Sequence, residues 1–180
     1  MFGLFRKKEP TVQVHDKIWM STQAKWKACA HLYRQQPQTH FLSWFEESRN
    51  SLRDYFTAQG LDQAPITLTT AHIGSTDKQL VFIEHFPLQE EEQTTFKAMG
   101  LKEATVFSAL DEPLFRLFKG ERMIQLMQQM GMQPEECIEN NMISAAIKRA
   151  QEKIRDKAMI LTSARSQSDW LINAGVDNAS

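Results

Sequence analysis

Cysteine is scarce: Cys29 and Cys137 are the only two among 180 residues. They lie far apart, with neither CxxC spacing nor a histidine pair nearby, so they form no zinc pattern and read as buried free thiols. His15, His31 and His40 are scattered with no i,i+4 pair, and no metal or other cofactor is expected. Excess charge of either sign is also missing. With 21 basic against 22 acidic residues the formal charge is −1, which gives no long-range pull toward nucleic acid or anionic lipid. No apolar run approaches the roughly 20 residues a bilayer span needs. The opening Met1-Phe2-Gly3-Leu4-Phe5-Arg6-Lys7-Lys8 lacks the apolar run of about 7–15 residues that an export signal carries. The expectation is a soluble cytoplasmic protein whose residues 1–10 form a flexible tail, with peripheral contact of that tip with a membrane or partner left open.

What is present is an ordinary globular composition, 42% hydrophobic and 24% charged. A chain of this size buries roughly 70% of its unfolded surface and needs no disulfide or metal to hold it together. Val12 to Met20 alternate as a strand, and Ser21-Thr22 can cap a helix carrying Trp26, Cys29, Ala30 and Tyr33. Thr39 to Phe45 and then Glu46 to Leu61, closed at Gly60, repeat the strand and helix order. Pro65 opens a β-branched run to Ile73, and Leu80 to Ile83 is a compact strand, with room only for a turn between them. Gln89 to Met99 is helical with an acidic first turn and Gly100 as cap, and Ala104 to Phe107 is a fifth strand. Strands alternating with helices predict an α/β fold with a mostly parallel sheet and helices on both faces.

After Asp111 the stripes Leu114, Leu117, Phe118 and Ile124, Leu126, Met127, Met130 are helical. Asn141 is the expected cap of a long helix with Ile143, Ala146, Ile147, Ala150 and Ile154 on one face and Lys148, Arg149, Lys153, Arg155 and Lys157 solvated on the rest. Met123, Met127, Met130 and Met132 read as core filler, with an adaptable contact face as the alternative. The organisation expected is an α/β domain over 11–120 with a helical extension over 121–176 packed on it, and a frayed end from Asp177 to Ser180.

The stretch from Ser108 to Ile154 reads SALDEPLFRLFKGERMIQLMQQMGMQPEECIENNMISAAIKRAQEKI. Ser108, Leu110, Asp111-Glu112, Leu114, Arg116, Phe118, Gly120 and Glu121-Arg122 fall in the order found at the close of the second nucleotide-binding, helicase C-terminal-like motor domain of the bacterial translocase ATPase SecA. Leu126-Met127, Met130-Gly131-Met132, Ile138-Glu139, Met142-Ile143, Ala146-Ile147 and Ala150-Gln151 continue it. Upstream, Asp16-Lys17-Ile18-Trp19 with Lys25 and Ala28, then Phe41 to Leu52, and Glu84-His85, are thinner echoes in the same order. The chain therefore resembles that domain in truncated form, which implies a RecA-like sheet. The domain so resembled packs against a second motor domain across a nucleotide and continues into a long helical scaffold.

The chemistry of a motor needs a phosphate cradle, a metal-binding carboxylate and arginines that stabilise the transferred phosphoryl group. There is no GxxxxGK[ST] loop, and where the family carries loops of the type MAGRGTD and QLRGRSGRQGD this chain has AHIGSTDKQ and LQEEEQTTFKAMGLKE. No arginine occurs between Arg53 and Arg116. The expectation is therefore no catalysis and a protein-interaction or regulatory role, with another protein, or a second copy, covering the surfaces left by the missing neighbours. Ile160, Leu161, Trp170, Leu171 and Ile172 are the candidate cover or partner site. The alternative is a small-ligand or nucleotide-binding regulator using Thr70, His72, Gly74, Ser75, Glu84 and His85 at the strand ends. A residual hydrolase built on His72 and Glu84 is the third reading, without a GxSxG-type nucleophile to support it.

Overall fold

The computed structural model describes residues 11–71, 78–159 and 163–176. Five strands form one sheet: β1 (Gln13–Trp19), β2 (Thr39–Ser43), β3 (Ile66–Leu68), β4 (Gln79–Phe82) and β5 (Glu103–Ala109), in the order β1-β5-β4-β2-β3. All the neighbouring pairs are parallel. The helices are α1 (Thr22–Gln35), α2 (Glu46–Ala58), α3 (Gln89–Ala98), α4 (Pro113–Arg116), α5 (Gly120–Gln129), α6 (Asn141–Lys157) and α7 (Gln167–Asn173).

Strand alternation sorts the core. Trp19, Phe41, Val81 and Phe107 point to one face, where Trp26 and Cys29 of α1 and Leu52 and Phe56 of α2 cover them. Leu42, Phe82 and Val106 point to the other, beneath Phe96 of α3. A third cluster joins Ile18 and Leu110 to Ile147 and Ile154 of α6 and to Trp170 and Leu171 of α7, so the C-terminal helices share a core with the sheet. Helices on both faces and an all-parallel sheet are the α/β architecture expected from the alternating elements.

Several details differ from the sequence reading. Cys29 is buried as expected, but Cys137 is exposed. β3 stops at Leu68, short of the expected run, and β3 and β4 flank β2 on opposite sides, both parallel to it. The long helix α6 is capped by Asn140, whose side chain accepts from the Met142 amide, one residue earlier than expected. Ala146 on its predicted inner face is exposed, and buried Gln151 extends that face instead. The helical third, expected to be all helix, also contributes an antiparallel bridge, with Ile138 N–H donating to the Ile18 carbonyl at 2.7 Å and Ile18 N–H returning at 3.1 Å.

The α4–α5 junction is tight for a definable reason. Lys119 takes a left-handed conformation (φ 65°), and the next residue, Gly120, lies so close to other backbone that a Cβ there would stand 2.3 Å from the Leu110 carbonyl oxygen. Only glycine permits that approach. The tail 1–10, the expected strand end at Ile73 and the residues Asp177 to Ser180 lie outside the described residues.

Candidate functional site

The topology points to one place. From β2 the chain runs through α2 to β3 on one side, and from β4 it runs through α3 to β5 on the other, so the connections diverge between adjacent strands β2 and β4. Open α/β sheets bind ligands outside the carboxyl ends of strands at such a reversal. The residues that leave the sheet there are Ser43-Trp44-Phe45 and Ile83-Glu84-His85.

Glu84 fills the gap between the two strand ends. Its Oε1 accepts from Ser43 Oγ at 2.7 Å and from the Trp44 and Phe45 amides at 3.1 and 3.2 Å, and its Oε2 accepts from Ser48 Oγ at 2.5 Å. Facing it is Lys25, brought in by the first turn of α1. That turn is fixed twice: Ser21 Oγ accepts from the Ala24 amide at 3.2 Å, and Asp111, just past β5, accepts from Thr22 N–H at 2.8 Å and Thr22 Oγ1 at 2.7 Å. The Lys25 ammonium donates to the Ile83 carbonyl at 2.6 Å, pairs with Glu112, and lies 4.3 Å from the centre of the Trp26 ring. Glu112 Oε1 also accepts from the Ala109 amide at 2.9 Å, while its Oε2 has no hydrogen-bond partner among the described residues.

Two buried carboxylates thus share one buried ammonium. Burial drives the Glu112 carboxyl up to about 7, only partly offset by Lys25, and burial likewise raises Glu84 against the pull of Lys25 and the two serines. Above them is a cavity of about 290 Å³, bordered by Glu47, Asp111, Arg116 and Ser168. Among the described residues no group of three or more His, Cys, Asp or Glu side chains is arranged so that it could hold a metal ion.

His85, adjacent in sequence, goes elsewhere. Its Nδ1 bonds Glu92 of α3 at 2.9 Å and its Nε2 bonds Asp16 of β1 at 3.0 Å, all three buried or nearly so. Burial alone would lower the imidazole, but the flanking carboxylates raise it to about 10; burial would raise Asp16, but His85, with Ser144 and Lys148, holds it below its ordinary value. Gln151 of α6 donates to Glu92 and to the Phe86 carbonyl, both at 2.8 Å, and Gln167 of α7 donates to the His85 carbonyl at 2.9 Å. This network ties the sheet to the C-terminal helices and has the character of a structural clamp.

Of the residues singled out from sequence, Glu84 lies in the strand-end site, His85 lies in the clamp, and Thr70 is exposed. His72, Gly74, Ser75, Ile160 and Leu161 lie outside the described residues. Trp170 and Leu171 are buried in the chain's own core, Trp170 meeting Phe86 edge-on at 5.4 Å, and Ile172 is half exposed. Lys25 and Glu112 were not picked as site residues. Their signal was the apposition of Leu110-Asp111-Glu112 with a capped helix, which no local pattern reveals.

No family model matches the chain. Parts of it resemble curated proteins: 36% identity over 55 residues with protein translocase subunit SecA of Rubrobacter xylanophilus, and 40% over 52 residues with that of Clostridium beijerinckii. A third match, to SecA of Chlorobium phaeobacteroides, extends over 71 residues at 32% identity. The chain is similar to SecA over about a third of its length. These matches take in 31%, 29% and 39% of this chain but only 6%, 6% and 7% of the respective relatives. No helix among the described residues is long and apolar enough to cross a membrane.

Proposed function

We propose that this chain is a SecA-related module, derived from the second motor domain, that performs no phosphoryl transfer and acts by binding another protein. The observation that carries the reading is the state of Lys25. The lysine at the strand ends is held by Glu112 and the Ile83 carbonyl, in a cavity edged by further carboxylates, and the other cation on its wall, Arg116, has its Nε on the Asp111 carbonyl, a setting that disfavours a polyphosphate. Transition-state charge on a phosphoryl group demands the opposite electrostatics. The sequence between Arg53 and Arg116 supplies no arginine to replace it.

The binding half of the reading rests on α5. Met123 and Met127 pack inward, whereas Leu126 and Met130, one turn apart, are 56% and 65% exposed. Unbranched, polarisable methionine beside leucine suits an adaptable protein contact. The test has two arms on the purified chain. Phosphate release from ATP with magnesium should stay at the no-protein rate; turnover that Lys25→Met abolishes would overturn the first half. A partner captured from native extract should be lost with the double variant Leu126→Glu, Met130→Glu; capture unchanged by that variant would overturn the second.

A further inference from the structure

We propose that the groove between α4–α5 and α6 receives an acidic amphipathic helix of another protein. The inference rests on the protein-binding reading above and names the chemistry of the partner. Helical spacing builds the first wall. Met142, Ala146, Arg149 and Lys153 recur at i, i+4, i+7 and i+11 along α6, a stripe beside the inward Ile143, Ile147, Ala150 and Ile154. All four are exposed, Met142 by 79%, and together they run about 16 Å, three turns at about 1.5 Å per residue. The opposite wall holds the half-buried Phe118 and Met123. Leu126 and Met130 follow Met123 at i+3 and i+7, so the exposed apolar residues of α5 continue that wall.

Between the walls lies a cavity of about 30 Å³ whose lining is wholly apolar, with Phe118 and Met123 facing Ala146 and Ala150. An apolar void gives water no hydrogen bond, and its lining forgoes dispersion contacts until a carbon atom enters. The tip of one leucine or methionine fills it, which makes it an anchor pocket for a partner side chain. Charge at the rim sets the character of that partner. Lys153 stands 5.9 Å from the centre of the Phe118 ring, Arg149 precedes it by one turn, and Lys119 and Arg122 outweigh Glu121 at the start of α5. None of these four cations pairs with a carboxylate among the described residues. An apolar seam edged by unpaired cations is complementary to a helix with apolar anchors on one side and acidic flanks. A lipid surface suits it less, because the seam is concave and a membrane-lying helix presents a projecting apolar face.

The experiment titrates the full chain into labelled peptides of about 18 residues, roughly five helical turns, and reads fluorescence anisotropy. One peptide carries a leucine stripe flanked by glutamate, a second replaces the glutamates with lysine, and a third keeps the acidic composition with the leucines scattered around the helix. Phosphatidylglycerol vesicles are tested beside them by co-sedimentation. The acidic striped peptide should bind saturably, about tenfold or more tighter than the other two, and weaken as salt rises. The double variant Arg149→Glu, Lys153→Glu should cost it about tenfold or more, by losing two ion pairs and adding repulsion. Ala146→Trp, also at an exposed position, should block the seam. Equal binding of acidic and basic peptides, uptake by vesicles in place of peptide, no acidic-peptide binding at concentrations on the order of 100 μM, or binding indifferent to these variants would overturn the proposal. An extract partner lost with Leu126→Glu, Met130→Glu but captured unchanged by Arg149→Glu, Lys153→Glu would overturn it as well, while leaving the protein-binding reading intact.

Discussion

The clamp built on His85 makes stability depend on pH in a window that few other groups share. In the unfolded chain the imidazole titrates at its ordinary 6.5, whereas in the folded protein the Glu92 and Asp16 carboxylates hold its proton up to about 10. Below pH 6.5 both states carry the proton and the full stabilisation is present. Above it the unfolded chain releases the proton and the folded chain does not, so stability declines with rising pH until the folded imidazole titrates. One proton of difference corresponds to about 1.4 kcal/mol per pH unit, or about 2 kcal/mol between roughly pH 7.5 and 9. Glu112, raised from 4.5 to about 7, acts below that range, and Cys29, moved by burial from 9.0 up to about 12, begins to act at its upper edge. Urea unfolding across the range should show the decline in the wild-type chain and not in His85→Gln, which keeps hydrogen bonding but cannot hold the charge. At pH 6 that variant should also be less stable by about 3–5 kcal/mol, the usual cost of breaking a buried ion pair. Parallel slopes for the two proteins would refute the assignment of an imidazolium to the clamp.

Three further perturbations follow from the same geometry. Lys25→Met should cost about 3–5 kcal/mol by stranding Glu84 and Glu112, and adding Glu112→Gln should recover a large part of that loss, a non-additivity read from denaturant midpoints. Gly120→Ala should destabilise by about 2–3 kcal/mol in the same assay, because backbone at 2.3 and 3.0 Å, the Leu110 and Phe115 carbonyls, must move. Trp170→Ala should cost about 3–5 kcal/mol and loosen α7 in hydrogen exchange, since the ring is almost wholly buried against Phe86 and the shared core.

The order of elements was legible because each carries its own local signal. Ser21 before α1, the acidic first turn of α3, and Gly60 and Gly100 in left-handed conformations after α2 and α3 are chemistry within a few residues of each helix end. Strand order was not legible, since β1 and β5 pair across about 90 residues and nothing in either strand names its partner. The same limit governed the site. Glu84 could be placed at a strand end from its position after Leu80 to Ile83, but its separation from His85 onto different networks depends on α2, α3 and α6 arriving from three parts of the chain. Trp170 and Leu171 showed their apolar character plainly, while the core that receives them is visible only once α4, α6 and α7 have been assembled.

The measurement that bears most directly on the central claim is calorimetric titration of the purified chain with ATP and magnesium. With Lys25 neutralised by Glu112 in a carboxylate-edged cavity, the prediction is heat no greater than dilution. Saturable nucleotide binding that disappears in Lys25→Met would contradict it, by showing that the lysine leaves Glu112 to meet a phosphate.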